Sequence, residues 1–167
     1  MSNTRHMARA GLLAGIIAVC AWIAIPIPPV SFTLQTFAVC LTLGLLGGKW
    51  GSISVSIYLL LGVVGMPVFT GFRGGIGTIL GPTGGFLWGF LLAGPVYGLV
   101  QRVGKLPAMV AAMAACYLCG CLWYTVYAPG TSLWAAFLLC GAPYLVPEGV
   151  KIALAYTLSC RMSRFLR

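Results

Sequence analysis

Acidic residues are almost missing from this chain: its 167 residues include one, Glu148, and a single histidine, His6, near the N-terminal end. Acid–base catalysis needs positioned groups that exchange protons near neutral pH, and one acid with one peripheral imidazole offers almost no candidates. Charge of either sign is scarce, at 7% of residues, where soluble domains run near about 25%. A soluble fold of this length would lack the polar groups to cover its surface. Nucleotide-binding loops are missing as well. Gly47-Gly48-Lys49-Trp50 has neither the spacing nor the Ser or Thr of a P-loop, and Gly75, Gly77 and Gly81 do not fit G-x-G-x-x-G. No G-x-S-x-G is present. The chain therefore reads as no enzyme and as having no ATPase of its own.

What is abundant is apolar surface. Hydrophobic residues make up 60% of the chain and the mean hydropathy is +1.03. Residues 1–167 read as a single integral membrane domain. Apolar runs separated by Gly, Pro and basic residues predict six helices: Met7–Ile25, Phe32–Gly47, Gly51–Gly65, Gly84–Val103, Pro107–Tyr127 and Pro147–Phe165. A shorter apolar segment, Thr131–Leu139, precedes the last and is expected to lie at the interface or to dip in part-way. The fold class is thus an all-α membrane bundle of about six transmembrane helices with irregular loops on the outward side. Arg5 and Arg9 ahead of Gly11–Ile25 imitate a secretory signal, but losing that segment would strip one helix from an evenly hydrophobic set, so it reads as a mature helix.

The net charge of +9 does not point to nucleic acid, because the basic residues stand singly between apolar runs instead of lining one polar face. With six helices, Arg5, Arg9, Lys49, Arg102, Lys105, Arg161, Arg164 and Arg167 share one side, and only Arg73 falls opposite. The positive-inside rule makes the first side cytoplasmic, with both termini there and the chain in the cell membrane. The outward loops are then unusual. Ile25–Ser31 is too proline-rich for helix, and the segment 66–85 is apolar yet carries seven glycines from Gly71 to Gly85. Irregular backbone at membrane depth is tolerated only where it is buried or lines a cavity, so these loops are candidates for a binding site.

Glu148 and Lys151 lie three residues apart, on one face of the last helix. Ionisable groups inside a membrane are expensive and usually functional. The plainer alternative is that the two only pair with each other. Pro147 places Glu148 in the first helical turn, where the helix dipole favours an anion. Arg73 stands in a Gly-rich loop and either meets a ligand carboxylate or is solvated at the loop tip. Ala10, Ala14 and Ala18 recur at four-residue spacing on helix one, beside Gly11 and Gly15. Such stripes permit close helix contact, either inside the bundle or as a docking surface for another subunit. Gly85 and Gly89, then Gly94 and Gly98, read as internal packing on the fourth helix. The seven cysteines all lie in apolar runs, and Cys116-x-x-Cys119-x-Cys121 has no neighbouring His or acid, so they read as packing residues and not as a metal site.

At Pro26-Ile27-Pro28-Pro29-Val30-Ser31-Phe32-Thr33-Leu34-Gln35-Thr36 the chain resembles the BioY family, the biotin-binding S components of energy-coupling factor (ECF) transporters. Leu80-Gly81-Pro82-Thr83-Gly84-Gly85-Phe86, the stretch from Tyr58 to Phe69, and Pro147-Glu148-Gly149-Val150-Lys151 carry the same resemblance. It implies capture of biotin at the outer face for uptake, with no cofactor beyond biotin as transported ligand. It also implies a coupling transmembrane subunit and two ABC ATPases as partners; the expected contact with them is the stripe Ala10, Ala14 and Ala18, because small residues let helices approach closely. The family usually has Asp at the place of Glu148, so the acceptor's geometry must adjust, and Tyr at the place of Phe86, so one polar contact is lost. Biotin offers ureido N–H donors, an apolar thioether ring and a valerate carboxylate. Under the resemblance Glu148 accepts from the ureido group, and Lys151 or Arg73 meets the carboxylate. Phe32, Phe86 and Tyr144 supply walls, and Gln35 and Thr33 further hydrogen bonds. A membrane scaffold with no ligand is the competing class. A cationic vitamin such as thiamine fits poorly with one acid against two bases.

Overall fold

The computed structural model describes residues 3–27 and 30–163; Pro28, Pro29, Arg164, Phe165 and Arg167 of the sequence reading lie outside the described residues. Helix α1 spans Asn3–Trp22. A short antiparallel pair follows, β1 (Ala24–Ile25) with β2 (Phe32–Thr33), in the register Ala24 opposite Thr33 and Ile25 opposite Phe32. Then come α2 (Gln35–Val63), the single turn α3 (Ile76–Ile79), α4 (Gly84–Val100), α5 (Lys105–Tyr127), α6 (Leu133–Cys140), a 3-10 turn (Ala142–Tyr144) and α7 (Leu145–Ser163). The stretches Gln35–Val63, Lys105–Tyr127 and Leu133–Ser163 are each long and apolar enough to cross a membrane, and α4 is a shorter apolar helix.

The helix α2 is two limbs. Gly47 has φ 74 and ψ 178, outside helical space and in a left-handed φ range that glycine takes without steric cost. The side chain of Gln35 reaches the hydroxyl of Tyr58 at 2.9 Å, although 23 residues of straight helix would separate them by about 34 Å. The limbs therefore run side by side, and the second and third apolar runs are separate segments joined at a tight turn. That turn sits against α4: the amide of Gly48 donates to Gln101 Oε1 at 3.3 Å, and a methyl group on Gly48 would come within 2.5 Å of the Cα of Gly98. Six long segments result, namely α1, the two limbs of α2, α4, α5 and α7.

Glycine sets the spacing inside this all-α membrane bundle. Gly85 faces Trp123, Gly89 faces Cys116 and Gly94 faces Ser52, with no room for a side chain at any of the three. The glycines of α4 are thus internal, as the spacing implied. For helix one the docking expectation needs correction. Ala10, Ala14 and Ala18 are all buried, and the carbonyl of Ala10 accepts from Ser54 Oγ at 2.8 Å. The stripe is spent on packing α1 against α2. Gly11 and Gly15 lie on the outside of α1, among exposed Leu12, Ile16 and Val19.

Two boundaries differ from expectation for a local reason. The first limb of α2 begins at Gln35 and not Phe32, because Phe32 and Thr33 are held in the strand pair. The last helix begins at Leu145, two residues before Pro147, because the 3-10 turn runs straight into it.

Candidate ligand-binding site

A cavity of about 320 Å³ opens among the irregular segments, at the small end of the range of about 300–1,000 Å³ typical of ligand pockets. Its walls come from the loop after α1 (Pro26, Val30, Ser31), the start of α2 (Thr33, Gln35, Thr36), the loop after α2 (Phe69, Arg73), α4 (Phe86, Phe90), Tyr117 of α5, and the segment from Cys140 to Lys151. The two loops singled out by their composition thus converge on one space.

The charged pair forms the floor. Lys151 Nζ lies 2.6 Å from Glu148 Oε2, and both side chains are buried. Two further donors converge on that same oxygen: the hydroxyl of Thr36 at 2.9 Å and that of Tyr117 at 3.2 Å. Lys151 also donates to Thr36 Oγ1 at 2.7 Å and to the carbonyl of Thr33 at 3.1 Å, and lies 4.6 Å from the centroid of the Phe32 ring. A buried carboxylate this well held at one oxygen is nonetheless half satisfied, because Glu148 Oε1 is buried with no partner. Buried polar atoms are usually paired. Oε1 of Glu148 is thus a buried acceptor with no protein partner, behind a cavity wall that includes Lys151, Thr36 and Tyr117.

Several expected residues have duties besides the cavity. Thr33 Oγ1 accepts from the backbone amide of Gln35 at 3.3 Å, at the partly buried start of α2. The amide group of Gln35 donates to Tyr58. Tyr144 stacks on Phe32 with centroids 6.3 Å apart and rings 8° from parallel, and its hydroxyl donates to the carbonyl of Val30, which fastens the first loop to the 3-10 turn. Phe86 meets Tyr117 edge-on at 5.6 Å. Phe32, Thr33, Gln35, Phe86, Tyr144 and Lys151 all face the one cavity, while Glu148 stands directly behind it. Arg73 reaches the same cavity from an exposed hairpin, with no acidic side chain left to pair with, since the only acid is bound to Lys151.

Sequence reasoning missed Thr36 and Tyr117. Thr36 is the last residue of the first motif quoted above and stands one residue beyond Gln35, so its place in the motif was a signal. Tyr117 lies in an apolar run of α5 and carries no local mark. Its partner is 31 residues away.

The description BioY family matches residues 1–167. A biotin transporter BioY from Thermotoga maritima is 48% identical over 98 residues, which cover 59% of this chain and 58% of that protein. A probable biotin transporter BioY from Pyrococcus horikoshii is 36% identical over 160 residues, covering 96% of this chain and 97% of that protein. A biotin transporter BioY from Rhodobacter capsulatus is 34% identical over 169 residues, covering 89% and 87%. Among solved structures, the S-component for biotin from an ECF-type ABC transporter superposes with a TM-score of 0.89 at 24% identity, covering 98% of this chain and 95% of that one. That likeness shows the fold.

Proposed function

This chain belongs to the BioY family, and on that premise we propose that it is the substrate-binding membrane subunit for biotin uptake, capturing biotin in the cavity described above. It is a transporter subunit and not an enzyme. The observation that carries the site assignment is the unpartnered Oε1 of Glu148 behind a wall of donors. A cyclic urea presents N–H donors beside a carbonyl acceptor. Glu148 Oε1 is the acceptor for a ring N–H, and the hydroxyls of Thr36 and Tyr117, both lining the cavity, reach the ring carbonyl by turning away from Glu148 Oε2. Phe32, Phe86 and Tyr144 flank the apolar thioether ring, and Gln35 and Thr33 complete the polar lining.

The valerate carboxylate falls to Arg73. Lys151 is already committed to Glu148, Thr36 and Thr33, so its charge is neutralised in place. The Glu148–Lys151 pair is neutral in sum, and Arg73 leaves the cavity with one positive charge to meet a monoanion. The same arithmetic disfavours a cationic vitamin. A ligand-free scaffold is disfavoured by the cavity itself, since packing alone explains neither the space nor the orphaned oxygen.

The charge distribution supports an orientation with both termini in the cytoplasm and the cavity facing outward across the plasma membrane. Among the described residues, Arg5, Arg9, Lys49, Arg102, Lys105 and Arg161 mark helix ends and turns away from the cavity, while at the cavity stand Arg73 and Lys151, the latter paired with Glu148. Accumulation against a gradient then requires an energising ECF module, with a coupling transmembrane subunit and two ABC ATPases, since this chain carries no nucleotide loop. Biotin is cargo, and no cofactor is required. Calorimetric titration of the purified full chain with biotin, with thiamine as control, tests the reading. Saturable binding of biotin and none of thiamine is expected; a folded protein that takes up no biotin overturns it.

A further inference from the structure

Arg73 sits on a hairpin whose shape is unusual. The amide of Phe69 donates to the carbonyl of Arg73 at 2.9 Å, closing a turn through Thr70, Gly71 and Phe72. Gly71 has φ 71 and Phe72 has φ 57, and Phe72 is the one non-glycine residue with positive φ among the described residues. A bulky side chain there is an outlier that surrounding structure must hold in place. What holds it is Trp22, at the end of α1, whose ring stacks on Phe72 at 4.9 Å. Trp22 is itself pinned by its indole N–H, which donates to the carbonyl of Pro67 at 2.8 Å. The far side of the hairpin is fixed independently. Phe69 is buried edge-on against Tyr58 at 5.6 Å, and the amide of Gly75 donates to the carbonyl of Gly62 at 2.7 Å.

Trp22, Phe69, Gly71 and Arg73 all line the cavity; Phe72 does not, and is exposed. Phe72 is thus an exposed aromatic in a disfavoured backbone conformation. Its ring stacks on Trp22 and so ties the hairpin tip to α1, one residue from Arg73. We propose that Phe72 is a positioning residue: by stacking on Trp22 it fixes the left-handed turn that delivers Arg73 to the ligand's carboxylate, and so sets selectivity for an anionic tail. This inference rests on the reading that Arg73 meets the carboxylate.

The test compares two probes on the purified full chain, biotin and its neutral primary amide. A charge-assisted pair at Arg73 gives the parent a preference for the acid on the order of tenfold. Arg73→Gln abolishes that preference. Phe72→Ala is expected to reduce the acid-to-amide ratio by at least about threefold, and Phe72→Tyr, which keeps a stacking ring, to restore it. If Phe72→Ala weakens acid and amide in the same proportion, or leaves the ratio at the parent value while Arg73→Gln abolishes it, Phe72 does not position Arg73 and the proposal is overturned. If Arg73→Gln leaves the ratio unchanged, the carboxylate assignment beneath it falls instead.

Discussion

Replacing Lys151 with Met strands a carboxylate. Glu148 is buried at 4% exposure, and its Oε2 would keep only the hydroxyls of Thr36 and Tyr117, while Oε1 has no partner to begin with. Removing one member of a buried pair costs about 3–5 kcal/mol, because an uncompensated charge is left behind. Glu148→Gln is milder, since an amide can keep accepting from Thr36 and Tyr117, though Lys151 then relies on Thr36 and the Thr33 carbonyl. The double variant Glu148→Gln with Lys151→Met buries no charge and should recover most of the stability lost in Lys151→Met. Ligand binding should not recover with it. Each lost hydrogen bond to a charged group is worth about 1.5–3 kcal/mol, or roughly ten- to 150-fold in Kd. Thermal unfolding of the detergent-solubilised variants reads the first quantity and biotin titration the second. The expected pattern is a stability cycle that closes and a binding cycle that does not. A double variant that binds biotin like the parent would falsify the ligand role and leave the pair purely structural; a Lys151→Met protein as stable as the parent would refute the burial argument.

Tyr117→Phe keeps the edge-on contact with Phe86 and removes one donor to Glu148; biotin affinity should fall by about tenfold and the unfolding temperature should fall by less than in Lys151→Met, measured by titration and thermal scan. Ala14→Leu overpacks the α1–α2 contact and should cost about 1–3 kcal/mol, so that expression and biotin binding fall together; normal stability with loss of assembly would reinstate the docking role of the alanine stripe. Single cysteines placed at the termini and at position 73, on a chain whose own cysteines are replaced, should react with a membrane-impermeant reagent in intact cells only at position 73. External labelling of either terminus contradicts the orientation.

Much of the fold was legible because lipid imposes simple rules on sequence. Glycine and proline marked where apolar runs stop, and Gly47 is where the chain reverses. The proline-rich and glycine-rich segments declared themselves as irregular backbone at membrane depth, and both line the cavity. The pair of Glu148 and Lys151 was legible because an (i, i+3) spacing fixes a shared helix face whatever the tertiary structure does. Helix one shows where that reasoning stops. Its alanines and its glycines have the same four-residue spacing, and lipid is as apolar as the bundle interior, so no contrast in hydropathy tells the buried stripe from the exposed one. Only the packing against α2 decided that Ala10, Ala14 and Ala18 face inward and Gly11 and Gly15 outward.

Composition by itself determined the membrane class, the exclusion of acid–base catalysis and the asymmetry of charge, because each depends on how many groups of a kind there are and in what order. The tertiary structure alone decided which oxygen of Glu148 is spent and which is free. Thr36 lies 112 residues from Glu148 and Tyr117 lies 31 away. Hydrogen bonds span only about 3 Å, so partners that distant along the chain are set by how the helices stack and by no local pattern. The same holds for Arg73, whose place at the cavity depends on a turn fixed by Trp22 from another helix.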